Sequence, residues 1–157
     1  APPRHVVTVD MRNHGESPWT AGHDYPALAA DLAEVIQHIG ASVDLLGHSM
    51  GGKAAMQLAL TEGSLIRRLV VADIAPVAYQ HTQVQNIERM RAVDLDSLTN
   101  RNDAIEQLGD IEDSLKAFFL QSLDMKERKW KLNLDALEAN MAHILGFPDL
   151  SGKQFEG

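Results

Sequence analysis

Residues 43–60 read VDLLGHSMGGKAAMQLAL, and the stretch changes character halfway. Residues 43–46 are strand material, apolar except at Asp44; Gly47-His48-Ser49-Met50-Gly51 follows, and an alanine-rich helical pattern continues without a gap. A turn that converts a strand directly into a helix strains the backbone of its central residue and leaves its neighbours no space for bulk. Gly47 and Gly51 would supply that room. Ser49 is then pushed outward as a nucleophile elbow, next to a helix N-terminus that favours developing negative charge. The amide of Met50 is placed as one oxyanion donor. With Gly near 7% of residues, G-x-S-x-G arises by chance in about one chain in twenty of this length. The strand before it, and Ala54, Ala55, Leu58 and Ala59 behind it, make the context far more specific than the pattern.

Outward from the turn, the chain alternates strand and helix. Residues 5–10 (HVVTVD) form a β-branched run suited to a buried parallel strand, and MRNHGESPWTAGHD then reads as a loop. Asp24 caps and Pro26 opens a helix that Gly40 ends, with Leu28, Leu32, Val35, Ile36 and Ile39 on one face. After the Ser49 helix, IRRLVVAD is a third strand ending at Asp73 and broken by IAPV. This order predicts an α/β fold with a parallel sheet, right-handed crossovers and cover on both faces. Residues 77–145 read instead as short amphipathic helices carrying Val84, Ile87, Met90, Leu115, Phe118, Phe119, Leu137, Met141, Ile144 and Leu145. Residues 130–134 alternate like a brief extended piece, and FPDLSGKQFEG at the end is loop-like.

The 157 residues suffice for one domain with a real core. A net charge of −8, with acidic residues spread along the chain, argues against a nucleic-acid partner. No apolar run approaches the roughly 20 residues needed to cross a bilayer. Cysteine is absent, which excludes disulfides and thiolate metal sites. The first residues show neither a signal peptide nor an Arg-rich presequence.

An activated serine needs a base held by an acid. Of the seven histidines, none reads as a convincing base. His48 adjoins Ser49 and should aim elsewhere. His14 lies in a loop at the C-terminal edge of the sheet, where turn chemistry explains it. His5, His23, His38, His81 and His143 fit strand starts, loops or polar helix faces. Their spacing lacks carboxylate companions at metal-ligand intervals, so neither metal nor cofactor is expected.

VDMRNHGESP, GHSMGGKAAM and LVVADIAPV, in this order and spacing, resemble the α/β-hydrolase superfamily. With NLDAL and ILGFP later, they are similar to the subfamily of abhydrolase domain-containing protein eleven, a mitochondrial type with small bacterial esterases as relatives. The resemblance implies a partial α/β-hydrolase fold: 1–76 the central part of the core, 77–147 a helical cap, 148–157 a linker to further core. It makes this stretch the middle of the family's fold. A preceding His-Gly oxyanion loop and a later Gly-His-Trp-like motif with the catalytic histidine do not occur in it. Carried over, Ser49 is the nucleophile and Met50 an oxyanion donor. The acid is Asp73, from the end of the strand, or Asp135, in NLDAL. Asp135 also reads as a first-turn carboxylate. Arg12 and Ser17 brace the loop after residues 5–10, and Lys53 is a hydrogen-bonding or solvated residue.

The implied activity is hydrolysis of carboxylic esters, acylglycerols included, in the mitochondrial matrix. Cap residues Met90, Leu115, Phe118 and Phe119 are candidate pocket walls, although core packing would bury such residues in any case. A second class of role, also implied by the resemblance, is a scaffold that binds or protects a 2-oxo-acid dehydrogenase complex. Dehalogenases and epoxide hydrolases are disfavoured, because they place an Asp where Ser49 stands.

Overall fold

The computed structural model describes residues 5–80 and 82–157; His81 and the first four residues of the 1–76 unit lie outside the described residues. Helix α1 (Tyr25–Ile39) begins where Asp24 accepts a hydrogen bond from Ala27 N and ends at Gly40 in the left-handed region. Strand β1 (Val43–His48) leads into helix α2 (Met50–Thr61), and strand β2 (Ile66–Ala72) returns parallel to β1. In the ladder Leu45 opposes Leu69, Leu46 opposes Val70 and His48 opposes Ala72. Val43, Leu45 and Leu69 therefore share one face, and they pack against α1 and α2 around Leu28, Leu32, Ile36, Ala54 and Leu58.

Two expectations need correction. Residues 5–10 are not a strand: they join no ladder, and Val6, Val7 and Val9 are exposed. A β-branched run becomes a strand only where a neighbouring edge offers its N–H and C=O groups, and neither edge of the β1–β2 pair takes this segment. Nor is the sheet covered on both faces. Leu46 and Val70, directly opposed on the face away from the helices, are 67% and 52% exposed.

The helical block follows as α3 (Val84–Ala92), α4 (Arg101–Gln107), α5 (Asp113–Gln121), α6 (Leu134–Ala139) and α7 (Met141–Leu145). A small antiparallel hairpin, β3 (Leu123–Asp124) with β4 (Lys129–Trp130), sits within it. Met90, Leu98, Leu108, Phe119, Leu120 and Trp130 build its own core, and Trp130 Nε1 donates to Met90 O at 2.8 Å. Met90 and Phe119 are thus spent on packing rather than on a pocket wall, whereas Phe118 is exposed.

The block is seated on the loop after residue 10. Gly15 N donates to Lys131 O at 2.8 Å, Asn133 N to Asn13 O at 2.9 Å, and His14 bridges Leu132. Within residues 148–157, Phe155 packs, with Phe147, against the core around α1 and α2. Among the described residues no helix is long and apolar enough to cross a membrane.

Candidate active site

The junction between β1 and α2 is one residue wide. Ser49 has φ 50° and ψ −122°, a combination that steric clashes penalise in any residue with a Cβ. The surroundings hold it there. Ser49 N donates to Ala72 O at 3.0 Å, prolonging the ladder by one step, and Ser49 O accepts from Gly52 N at 2.8 Å and Lys53 N at 3.2 Å. A Cβ at Gly47 would lie 2.3 Å from Gly51 O, so glycine is obligatory there. The second crowded position is Gly52, whose Cβ would meet Ile74 at 2.7 Å. A Cβ at Gly51 would meet nothing within 4 Å, so the room assigned to Gly51 is needed one residue later.

Ser49 occupies the N-cap position of α2, where a serine hydroxyl ordinarily accepts from a backbone N–H. It makes no such bond, and the residue is exposed. Met50 N opens the helix, among the amides that an α-helix leaves without an internal acceptor. The turn combines an exposed serine, whose hydroxyl does not cap α2, with helix N–H groups that can stabilise an anion.

Asp73 follows the last residue of β2, as Ser49 follows the last residue of β1. Because His48 and Ala72 are opposed in the ladder, Ser49 and Asp73 are the next residues beyond the carboxyl ends of the two strands. Asp73 also has a positive φ, 57°, and its side chain is 91% exposed, with Oδ2 3.9 Å from His48 Nε2. Asp135 is placed differently. It lies in the first turn of α6 and its carboxylate pairs with Arg91 of α3, which also holds Glu138. Arg12 clamps Asp31 of α1 with two 2.6 Å bonds, which raise its pKa, and Ser17 Oγ donates to Asp10 O at 2.6 Å.

Sequence reasoning missed two buried groups around the turn. Lys53 is 1% exposed; its ammonium donates to Leu145 O at 2.9 Å and Gly146 O at 2.7 Å and lies over the rings of Tyr79 and Tyr25. Burial lowers its pKa, and burial raises that of Tyr25, whose hydroxyl donates to Ile144 O at 2.6 Å. Helix α2 and the end of α7 are thereby fastened together. His23 is fully buried, and burial chiefly pushes its imidazole down to about 4, with His14 and Arg12 adding to the effect. Its Nε2 lies 3.2 Å from Met50 Sδ. Among the described residues no group of three His, Cys, Asp or Glu is arranged to hold a metal ion.

Residues 1–153 match the alpha/beta hydrolase family. The chain is similar to the sn-1-specific diacylglycerol lipase of Danio rerio, 39% identical over 158 residues, covering 93% of this chain and 50% of the relative. It is also similar to Esterase YbfF of Escherichia coli, 34% identical over 152 residues, with coverage of 90% and 57%. A solved marine microorganism esterase superposes with a TM-score of 0.81 at 33% identity, over 92% of this chain and 59% of that one. The chain thus spans about half the length of the curated relatives it matches.

Proposed function

The chain belongs to the alpha/beta hydrolase family, and from that premise we propose that it carries the nucleophile of a serine hydrolase acting on carboxylic esters. One observation supports this reading above the others: Ser49 is exposed and held at positive φ between β1 and α2, with a hydroxyl that does not cap its own helix. In this reading Ser49 Oγ attacks the ester carbonyl carbon as its proton passes to a histidine base. The carbonyl oxygen becomes an oxyanion that accepts from Met50 N. Collapse of the tetrahedral intermediate expels the alcohol, which takes the proton, and leaves an acyl-serine that water hydrolyses by the same steps.

Asp73 is the acid in this proposal, since it occupies the strand end next to Ser49; Asp135 is left to brace α6 against α3. The base, by resemblance, belongs to a Gly-His-Trp-like motif outside these residues. The diacylglycerol lipase among the relatives makes acylglycerols the first esters to try, and the subfamily resemblance makes the mitochondrial matrix the compartment.

The test is labelling of the full-length protein with a fluorophosphonate probe, read beside hydrolysis of a p-nitrophenyl ester. Labelling and turnover that both vanish in Ser49→Ala are expected. A wild-type protein that takes no label, and matches Ser49→Ala in turnover, overturns the hydrolase reading in favour of a scaffold that binds a partner such as a 2-oxo-acid dehydrogenase complex.

A further inference from the structure

Three polar side chains form an unbroken line from the cap to Met50, the residue that follows Ser49. Asn133, the N-cap of α6, donates through Nδ2 to Asn13 Oδ1 at 3.0 Å. The same oxygen accepts from Thr20 N at 2.7 Å, so two donors fix which end of the Asn13 amide is which. Its Nδ2 then points at His23 Nδ1, 3.2 Å away, with Gly22 O at 3.4 Å. A ring nitrogen that faces an N–H donor must be the acceptor, which leaves the proton of the neutral imidazole on Nε2. That N–H is directed at Met50 Sδ, 3.2 Å away. Asn13 and His23 are both fully buried, and burial holds His23 neutral.

This line is built at some cost. Asn13 sits at φ 66°, and two polar side chains have been taken out of water where apolar ones would pack. Its backbone is engaged as well, since Asn13 O accepts from Asn133 N. Met50 is the only residue of the turn whose side chain is gripped in this way from outside α2 among the hydrogen bonds of the described residues. Ser49 O already ties the peptide between Ser49 and Met50 to Gly52 N and Lys53 N, and the grip on the Met50 side chain adds a restraint on it from outside α2.

We infer that Asn133, Asn13 and His23 are positioning residues that tie the seating of the cap to the Met50 side chain, so that the docked cap sharpens the aim of the Met50 amide as oxyanion donor. The inference rests on the serine-hydrolase reading. It assigns His23 a fixed tautomer, with the proton on Nε2, and no part in proton transfer.

The experiment uses the full-length protein and p-nitrophenyl ester hydrolysis, with fluorophosphonate labelling of the wild type as the control for the underlying reading. Asn133→Ala and Met50→Leu each break the line at one end. Each is expected to lower kcat about tenfold with KM unchanged, a fraction of the 100-fold or more that loss of a whole oxyanion donor costs. The double variant should be no slower than either single one, because both remove the same connection. Gln carries one acceptor and one donor on a single carbon, as the two imidazole nitrogens flank one carbon, so His23→Gln should keep kcat within about threefold of wild type while His23→Phe loses about tenfold. Nitrogen-15 spectra of the histidine rings should show the proton of His23 on Nε2.

A labelled, active wild type in which the Asn133→Ala and Met50→Leu losses multiply overturns the positioning role alone. So does a His23 proton found on Nδ1, or a His23→Gln variant as slow as His23→Phe. A wild type that neither labels nor turns over overturns the hydrolase reading and takes the positioning role with it.

Discussion

Ser49, Asp73 and Asn13 all hold a positive φ, a conformation that costs a side-chain-bearing residue on the order of 1–3 kcal/mol each. Strain of that kind persists only where neighbours over-determine it, and at Ser49 they can be named: Ala72 O, Gly52 N and Lys53 N. Ser49 was legible because glycines mark the spot in sequence. For Lys53 the hydrogen bonding was legible and the burial was not, since a lysine in the first turn of a helix also reads as solvated; two carbonyls from residues 145 and 146, far along the chain, and the rings of Tyr25 and Tyr79 make its burial tolerable. His23 escaped for a related reason, because loop residues read as surface. Its burial carries a pH dependence. The unfolded chain takes up a proton near 6.5, whereas the folded His23 stays neutral down to about 4. Its contribution to stability is therefore complete above 6.5 and is lost as pH falls toward 4, by up to about 1.4 kcal/mol per pH unit. Asp24 and Asp31 oppose the shift, and His14 and Arg12 strengthen it. Urea unfolding of wild type and His23→Gln between pH 7 and pH 5 measures the difference. The wild type should lose stability more steeply, and parallel slopes would contradict the assignment.

At the scale of elements, a strand end and a helix start compete for the role of acid. β2 delivers Asp73 to the sheet's carboxyl edge beside Ser49, while α6 directs Asp135 to Arg91. Asp73→Asn in the full-length protein should lower kcat by about 1000-fold or more, as loss of a triad acid does elsewhere, with labelling of Ser49 slowed in parallel. Asp135→Asn, which weakens one exposed ion pair, should change kcat by less than about threefold. The reverse pattern would move the acid to the cap. The elements that position these residues were readable from local signals: Asp24 and Gly40 bracket α1, and apolar runs mark β1 and β2. Of the hairpin of β3 and β4 only the second strand was legible, where the alternation of residues 130–134 read as a brief extended piece: Trp130 ends β4 and Leu132 bridges His14, while a two-residue β3 is too short for any periodicity. Residues 5–10 show the opposite failure. Their β-branched pattern is real, but strand formation depends on a neighbour's edge, which local sequence does not encode.

At the scale of the whole molecule the same limit reappears as an uncovered face. The pleat of β1 turns Val43 and Leu45 toward α1 and α2, and Leu46 and Val70 oppose each other on the other side with more than half their surface in water. Val6, Val7 and Val9 add exposed apolar surface, and an open ladder edge with apolar side chains is a template for further pairing. Residues 1–157 expressed alone are therefore expected to associate through this face. Sedimentation velocity at micromolar concentration should show species heavier than the 17.2 kDa chain, and the protein should enhance the fluorescence of an apolar dye. Replacing Leu46 and Val70 together by lysine puts two like charges directly across the ladder, which disfavours stacking of a second sheet on that face. It leaves the packed side of β1 and β2 unchanged, so helix content by circular dichroism should persist while the heavy species dissolve into monomer. A wild-type chain that already sediments as a monomer without binding dye would mean that the exposed pair is covered by the chain itself in solution, and that the face turned away from α1 and α2 is not the open surface described.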